Sequence, residues 1–224
     1  MRFAAVLVVG IAVLCPAASA DVRMRLDVMP LPRSAPAPGP SARALAQDSG
    51  VLSNADAART AGNGFTAADL ARRGRITGYT VDYRLPNITV PQTRHELLGV
   101  KTIAELYSSR TTATRGLAFW RNLTRKRKTF PNGITVTASP FHARVGNASF
   151  AFELTYRDGA SPLYYVGDVV FRSGNLLGAV FVSATDDRGL RTRTLHLADK
   201  LASRIERVLA GQIHASPVKP PVRH

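Results

Sequence analysis

The sequence predicts an α+β fold: a single antiparallel sheet with packed helices, an α/β sandwich. Three observations carry this. Residues 148–184 alternate large apolar and small or polar side chains and are broken by two tight turns, the pattern of consecutive antiparallel strands. Residues 109–128 and 190–210 place apolar side chains at helical spacing. The elements follow in the order helix, two strands, helix, strand, three-strand meander, helix, which is not the βαβ alternation of a parallel sheet.

The chain opens with Arg2, an unbroken apolar run from Ala4 to Leu14, Pro16, and Ala18-Ser19-Ala20 before Asp21. That pattern reads as a secretory signal peptide over 1–20, cleaved after Ala20. The run is shorter than the roughly 20 apolar residues a spanning helix needs, so no transmembrane segment is expected in the mature chain. Cys15 is the only cysteine, and cleavage removes it. Leu14 before it is not the small residue that lipoprotein processing wants. The mature domain is therefore expected to stand without disulfides, thiol nucleophile or thiolate metal site, and to be exported: secreted, periplasmic or envelope-bound.

Residues 21–63 are expected to be a disordered Pro/Ala-rich linker, because Pro30, Pro32, Pro36, Pro38 and Pro40 favour extended, solvated chain. A single α+β domain is expected over 64–212, and a disordered basic tail over 213–224. Within the domain, Thr66-Ala67-Ala68-Asp69 has capping-box spacing with Asp in place of Glu, and starts a short helix that Gly74 ends. Arg75 to Leu85 alternates as a half-buried strand. Leu97 to Ser108 is a second strand. The helix over 109–128 carries a stripe of Ala113, Gly116, Leu117, Trp120 and Leu123, with Phe119 at its margin, and Pro131 with Asn132-Gly133 ends it. Ile134 to Ala138 is a short strand. Asp158-Gly159 and Ser173-Gly174-Asn175 turn the meander. Leu190 to Ala210 closes the domain as an amphipathic helix stopped by Gly211.

The run from Tyr165 to Leu176 with its Arg172-Ser173-Gly174-Asn175 hairpin, Val180, and the helix Ala198 to Leu209 resemble a recurrent pattern of exported actinobacterial domains. The pattern is similar to the extracytoplasmic sensor domains of mycobacterial serine/threonine kinases and to PsbP-like lipoproteins and secreted proteins. The resemblance covers roughly the last third of the chain. It implies a PsbP-like or sensor-domain-like fold and a non-enzymatic habit, and it carries over no functional residue. The kinase sensors are tied by disulfides, which this chain lacks the cysteines to form.

The chain holds 30 basic and 15 acidic residues, and loss of Arg2 with the signal leaves 29 against 15, a net charge of +14. Arginine outnumbers lysine 25 to 5, as in GC-rich bacterial genomes. Such a surface attracts anionic partners, here wall polymers or lipid head groups. Nucleic acid is not an expected partner of an exported chain. Arg121, Arg125, Lys126, Arg127 and Lys128 form the one sharp cluster, expected at the end of the long helix, and are a candidate anion-binding patch. Cations at a helix C-terminus also oppose the macrodipole, which is the structural alternative.

No catalytic, cofactor-binding or metal-binding residue is assigned, and no cofactor is expected. His95, His142, His196, His214 and His224 form no helical i, i+4 pair. Asp82, Glu153 and Asp168 fall on strands. Glu153 and Asp168 are candidates for a cross-strand carboxylate pair that would shift each other's pKa; the structural alternative is a solvated sheet face with Arg84 and Arg172 as counter-charges. Ser149 and Ser183 lack a G-x-S-x-G context, and there is no P-loop or dinucleotide fingerprint. The expected function is a non-enzymatic binding or sensor-like module for an unknown ligand or envelope protein. The alternatives are a basic envelope protein of structural or adhesive role that binds anionic polymer or lipid, and a hydrolase.

Overall fold

A computed structural model of the chain describes residues 25–35, 46–62, 64–85, 97–126, 128–130 and 132–217. The expected signal peptide lies outside the described residues. Among these residues eight strands form one sheet: β1 (Ala46–Leu52), β2 (Arg75–Arg84), β3 (Leu97–Tyr107), β4 (Lys128–Thr129), β5 (Thr135–Phe141), β6 (Ala148–Asp158), β7 (Ser161–Ser173) and β8 (Leu176–Ala184). Their spatial order is β1-β2-β3-β8-β7-β6-β5-β4, and every neighbouring pair is antiparallel. Among the described residues four α-helices join them: α1 (Asn54–Ala61), α2 (Ala67–Arg72), α3 (Arg110–Arg125) and α4 (Leu190–Leu209). The α+β sandwich expected from the alternation is the fold observed.

The path explains the layers. From β3 at the middle of the sheet the chain crosses one face as α3 and reaches the far edge at β4. It then returns by the β5–β8 meander until β8 pairs with β3. Because side chains alternate along each strand, the sheet has two distinct faces. On one, Val100, Ala104, Val169, Phe171, Val180 and Val182 pack under α4 through Leu197, Leu201 and Ile205. On the other, Ile103, Tyr107, Phe150, Phe152, Val170, Leu177 and Ala179 pack under α3 through Ala113 and Leu117. Both helices sit close. A Cβ added at Gly167 of β7 would lie 2.1 Å from Thr194 Oγ1 of α4, and one added at Gly116 of α3 would lie 2.5 Å from the Tyr107 ring.

Three expectations change. Residues 21–63 are not one linker. Residues 25–35 form a strap on the α4 face, and residues 46–61 supply strand β1 and helix α1. The strap holds because its few apolar residues are all used: Leu26, Val28, Met29 and Leu31 are buried in the main core. Its backbone is bonded as well. Tyr83 Oη donates to the Leu31 carbonyl (3.0 Å), and Arg204 Nε donates to the Val28 carbonyl (2.9 Å). Burial pushes the Tyr83 hydroxyl up to about 12. Helix α1 starts at a capping box between Ser53 and Asp56, which composition alone hides.

The tail after 212 is anchored at its start. Ile213 packs on the core, Arg204 Nη2 donates to the Ala215 carbonyl (3.3 Å), and Ser216 Oγ donates to the Asp27 carbonyl (3.1 Å). His214 Nδ1 lies 2.9 Å from Arg25 Nη2. Helix α3 also stops earlier than expected. Lys126 is extended, and Lys128 begins β4, paired with Val136. The anticipated cationic helix end is therefore split between a helix, a loop and a strand.

Candidate functional site

The α3 face of the sheet is only partly roofed. Between α1, α3 and the strands lies an inner chamber of about 70 Å³. Its walls are mainly apolar: Leu52, Ile103, Trp120, Val170, Leu177 and Ala179, with Glu105, Lys101 and Asp168 as the charged groups. It meets an outer cleft of about 600 Å³ that runs over β2, β3, β8 and β7 to Tyr156 and Tyr164. The two spaces share Thr60, Lys101, Ile103 and Phe181, so they form one groove with a dry end and a wet end.

Register sets the floor. Asp82 faces Lys101 across β2 and β3, Lys101 faces Phe181 across β3 and β8, and Phe181 faces Asp168 across β8 and β7. One cross-strand row thus alternates carboxylate, ammonium, ring and carboxylate, with strands ~4.8 Å apart. Asp82 also faces Asp48 of β1, whose Oδ2 accepts from Arg84 Nη2 (3.2 Å). Burial is the main cause that holds the Asp82 carboxyl above its ordinary value; Lys101 and Arg84 pull it down and Asp48 adds to the rise. At the far rim the Tyr156 and Tyr164 rings stack at 4.3 Å between centroids. Burial, with Tyr156 second, pushes the Tyr164 hydroxyl up to about 12.

The dry end is braced by a buried ion pair. Arg75 Nε donates to Glu105 Oε1 (3.0 Å), with the Arg75 side chain 0% and the Glu105 side chain 8% exposed. Arg75 Nη1 donates to Asn54 Oδ1 (2.6 Å) and Nη2 to the Leu52 carbonyl (2.9 Å). Glu105 Oε2 accepts from Tyr107 Oη and from Trp120 Nε1, both at 3.2 Å. One guanidinium and one carboxylate thereby join β1, α1, β2, β3 and α3 around the chamber. The Tyr107 hydroxyl is held well above its usual range, by burial first and then by the Glu105 charge. The alternation of residues 97–108 did not mark this network. A lone carboxylate inside an apolar strand was the available signal.

The carboxylates singled out from the sequence separate. Asp168 is opposite Phe152, whereas Glu153 is opposite Gly167, so a one-residue offset puts them on different faces. Glu153 faces α4, where Arg191 Nε donates to its Oε2 (3.0 Å). Asp168 faces α3, where Thr124 Oγ1 donates to its Oδ2 (3.4 Å). Both carboxylates are buried rather than solvated, and Arg191, not Arg84 or Arg172, is the counter-charge of Glu153. Arg172 instead bonds the hairpin: its Nη1 donates to Asn147 Oδ1 (3.4 Å) and to the Gly174 carbonyl (3.1 Å). Ser149 Oγ donates to the Ala143 carbonyl (3.0 Å), a loop-fixing role. Ser183 lines the outer cleft.

Of the candidate anion patch, Arg121 and Arg125 lie on α3 and Lys126 just past its end, all exposed. Arg127 lies outside the described residues, as do His95, His224 and the side chain of Lys128. Of the three described side chains none lines the groove, and Lys126 joins a separate depression on the outer side of α3. Among the described residues, no three His, Cys, Asp or Glu side chains converge as metal ligands. No helix among them is long and apolar enough to cross a membrane.

No protein-family profile matches the chain, and no curated protein matches it either. A solved structure does: the extracellular domain of PknH from Mycobacterium tuberculosis, with a TM-score of 0.54 at 10% sequence identity. The match covers 84% of this chain and 96% of that one. The two share a fold, over far more of the chain than the hairpin and helix that carry the sequence resemblance.

Proposed function

We propose that this chain is an exported, non-catalytic binding module, and that the groove beneath the gap between α1 and α3 is its ligand site. The observation that carries this reading is the meeting of a dry chamber and a wet cleft at Thr60, Lys101, Ile103 and Phe181. Concave, largely apolar spaces with a few convergent polar groups are where small ligands bind. The ligand class that fits is an amphipathic small molecule. Its apolar group enters between Ile103, Val170 and Ala179, and its polar part lies over the Asp82–Lys101 row. The signal-peptide pattern supports export, and a fold shared with an extracellular domain is in keeping with it.

Trp120 is the only tryptophan and lines the chamber, so its emission reports occupancy. The protein is purified gently from the envelope of its host and retained molecules are read by native mass spectrometry. Replacing Ser183 by Tyr narrows the outer cleft without touching either core. The expected result is a retained small molecule that Ser183→Tyr loses at unchanged melting temperature, with a matching change in Trp120 emission. Equal retention by both proteins refutes the assignment.

A further inference from the structure

We propose a second site, independent of the groove: a basic and aromatic depression on the outer side of α3 that docks the chain on an anionic phospholipid surface. The depression encloses about 330 Å³ and is lined by Phe65, Arg73, Arg115, Phe119, Asn122 and Lys126, with Ala118 and Leu123 between them. Three cations and no carboxylate line it. Phe65 and Phe119 meet edge to face at 5.0 Å between centroids. The Arg73 guanidinium lies 4.5 Å from the Phe119 centroid and 5.8 Å from that of Phe65. Arg73 caps α2, Arg115 stands on α3 and Lys126 just past its end, so two helices bring cations to one trough.

Along α3 the charge is one-signed: the helix reads RTTATRGLAFWRNLTR and contains no acidic residue. Oppositely charged i, i+4 partners, the usual solvated arrangement, are missing from this helix. Arg115 is ten positions from the last helical residue, Arg125, a rise of about 15 Å at ~1.5 Å per residue, and Lys126 lies just past that end. One small anion cannot bridge that span; an array of phosphates can. The Phe65 and Phe119 rings are half-buried beneath Arg73, so the trough sets apolar ring surface beside its cations, the pairing that a headgroup boundary of phosphates and acyl chains matches.

The test uses the mature full chain and sedimentation with vesicles of phosphatidylglycerol mixed with phosphatidylcholine, or of phosphatidylcholine alone, at low and moderate salt. The proposal expects binding to the anionic vesicles only, weakened by salt. Arg73→Gln, Arg115→Gln and Lys126→Gln together should lower partitioning by about 100-fold, taking each surface cation at its usual contribution. The matched control replaces Arg193, Lys200 and Arg207 of α4, on the opposite face of the molecule, by Gln; its binding should fall less than about 3-fold. Circular dichroism confirms that each variant is folded. Equal losses in both triples would mean that net charge alone binds, and would overturn the site. Binding that survives the α3 triple, or that goes to a soluble acidic polysaccharide and not to vesicles, would overturn it as well.

Discussion

Glu105 is the residue whose loss should be felt most widely, because it compensates a guanidinium with no access to water. In Glu105→Gln the carboxylate becomes neutral at nearly constant volume. Arg75 keeps its bonds to Asn54 and the Leu52 carbonyl but loses its counter-charge, and the amide can accept from Tyr107 or Trp120 only on its oxygen side. Removing one member of a buried pair costs about 3–5 kcal/mol, since the remaining charge is stranded. For a domain of this size each kcal/mol shifts the melting temperature by roughly 2–4 °C, so a fall of about 10 °C is expected. The assay is thermal and urea unfolding of wild type, Glu105→Gln, Arg75→Met and the double Arg75→Met/Glu105→Leu. Replacing both partners with apolar groups removes the stranded charge, and the double variant should recover most of the loss. A Glu105→Gln penalty under about 1 kcal/mol, or a double variant as weak as the sum of the singles, would refute the reasoning.

Two other expectations concern the strap and the groove. Met29 is 0% exposed in the main core, so Met29→Ala should cost about 2–5 kcal/mol; a loss below 1 kcal/mol in urea unfolding would mean that the strap is not seated there. The Asp82 carboxyl is held above 3.8 in the folded chain, chiefly by burial, so its ionisation opposes folding, and that cost grows as pH rises from the ordinary carboxylate value through the folded one. Asp82→Asn should therefore melt higher than wild type near pH 7, with the gap closing toward about pH 4; a gap that widens on acidification contradicts the burial account.

Much of the fold was legible because it rests on local patterns. Alternation marked β2, β6 and β7, apolar and β-branched content marked β3 and β8, Thr66 and Asp69 formed the capping box their spacing promised, and Gly211 follows α4 in the positive-φ conformation. The misses share a physical cause. The strap, β1 and α1 have too few large side chains to announce themselves, and they are ordered by partners far along the chain. Leu31 N donates to Thr102 Oγ1 (3.4 Å), and Arg75 reaches back to Leu52 and Asn54. Glu153 and Asp168 were placed together because each strand was read correctly but the register between them was not available; one residue of offset sends them to opposite faces.

The groove itself follows from coverage. Eight strands at ~4.8 Å spacing make a sheet about 34 Å across, whereas one helix with its side chains is about 10–12 Å wide. Each face therefore needs more than a single long helix. On the α4 face the shortfall over β2 and β3 is filled by the strap, whose Leu26, Val28, Met29 and Leu31 join the same core as α4. On the α3 face the matching ground over β2, β3 and β8 is left to α1, a helix of eight residues that packs with α2 through Ala57, Ala58 and Leu70. Small alanines keep α1 from reaching far over the floor, and Arg75 holds its start at the β1 end. The space left between α1 and α3 is the groove.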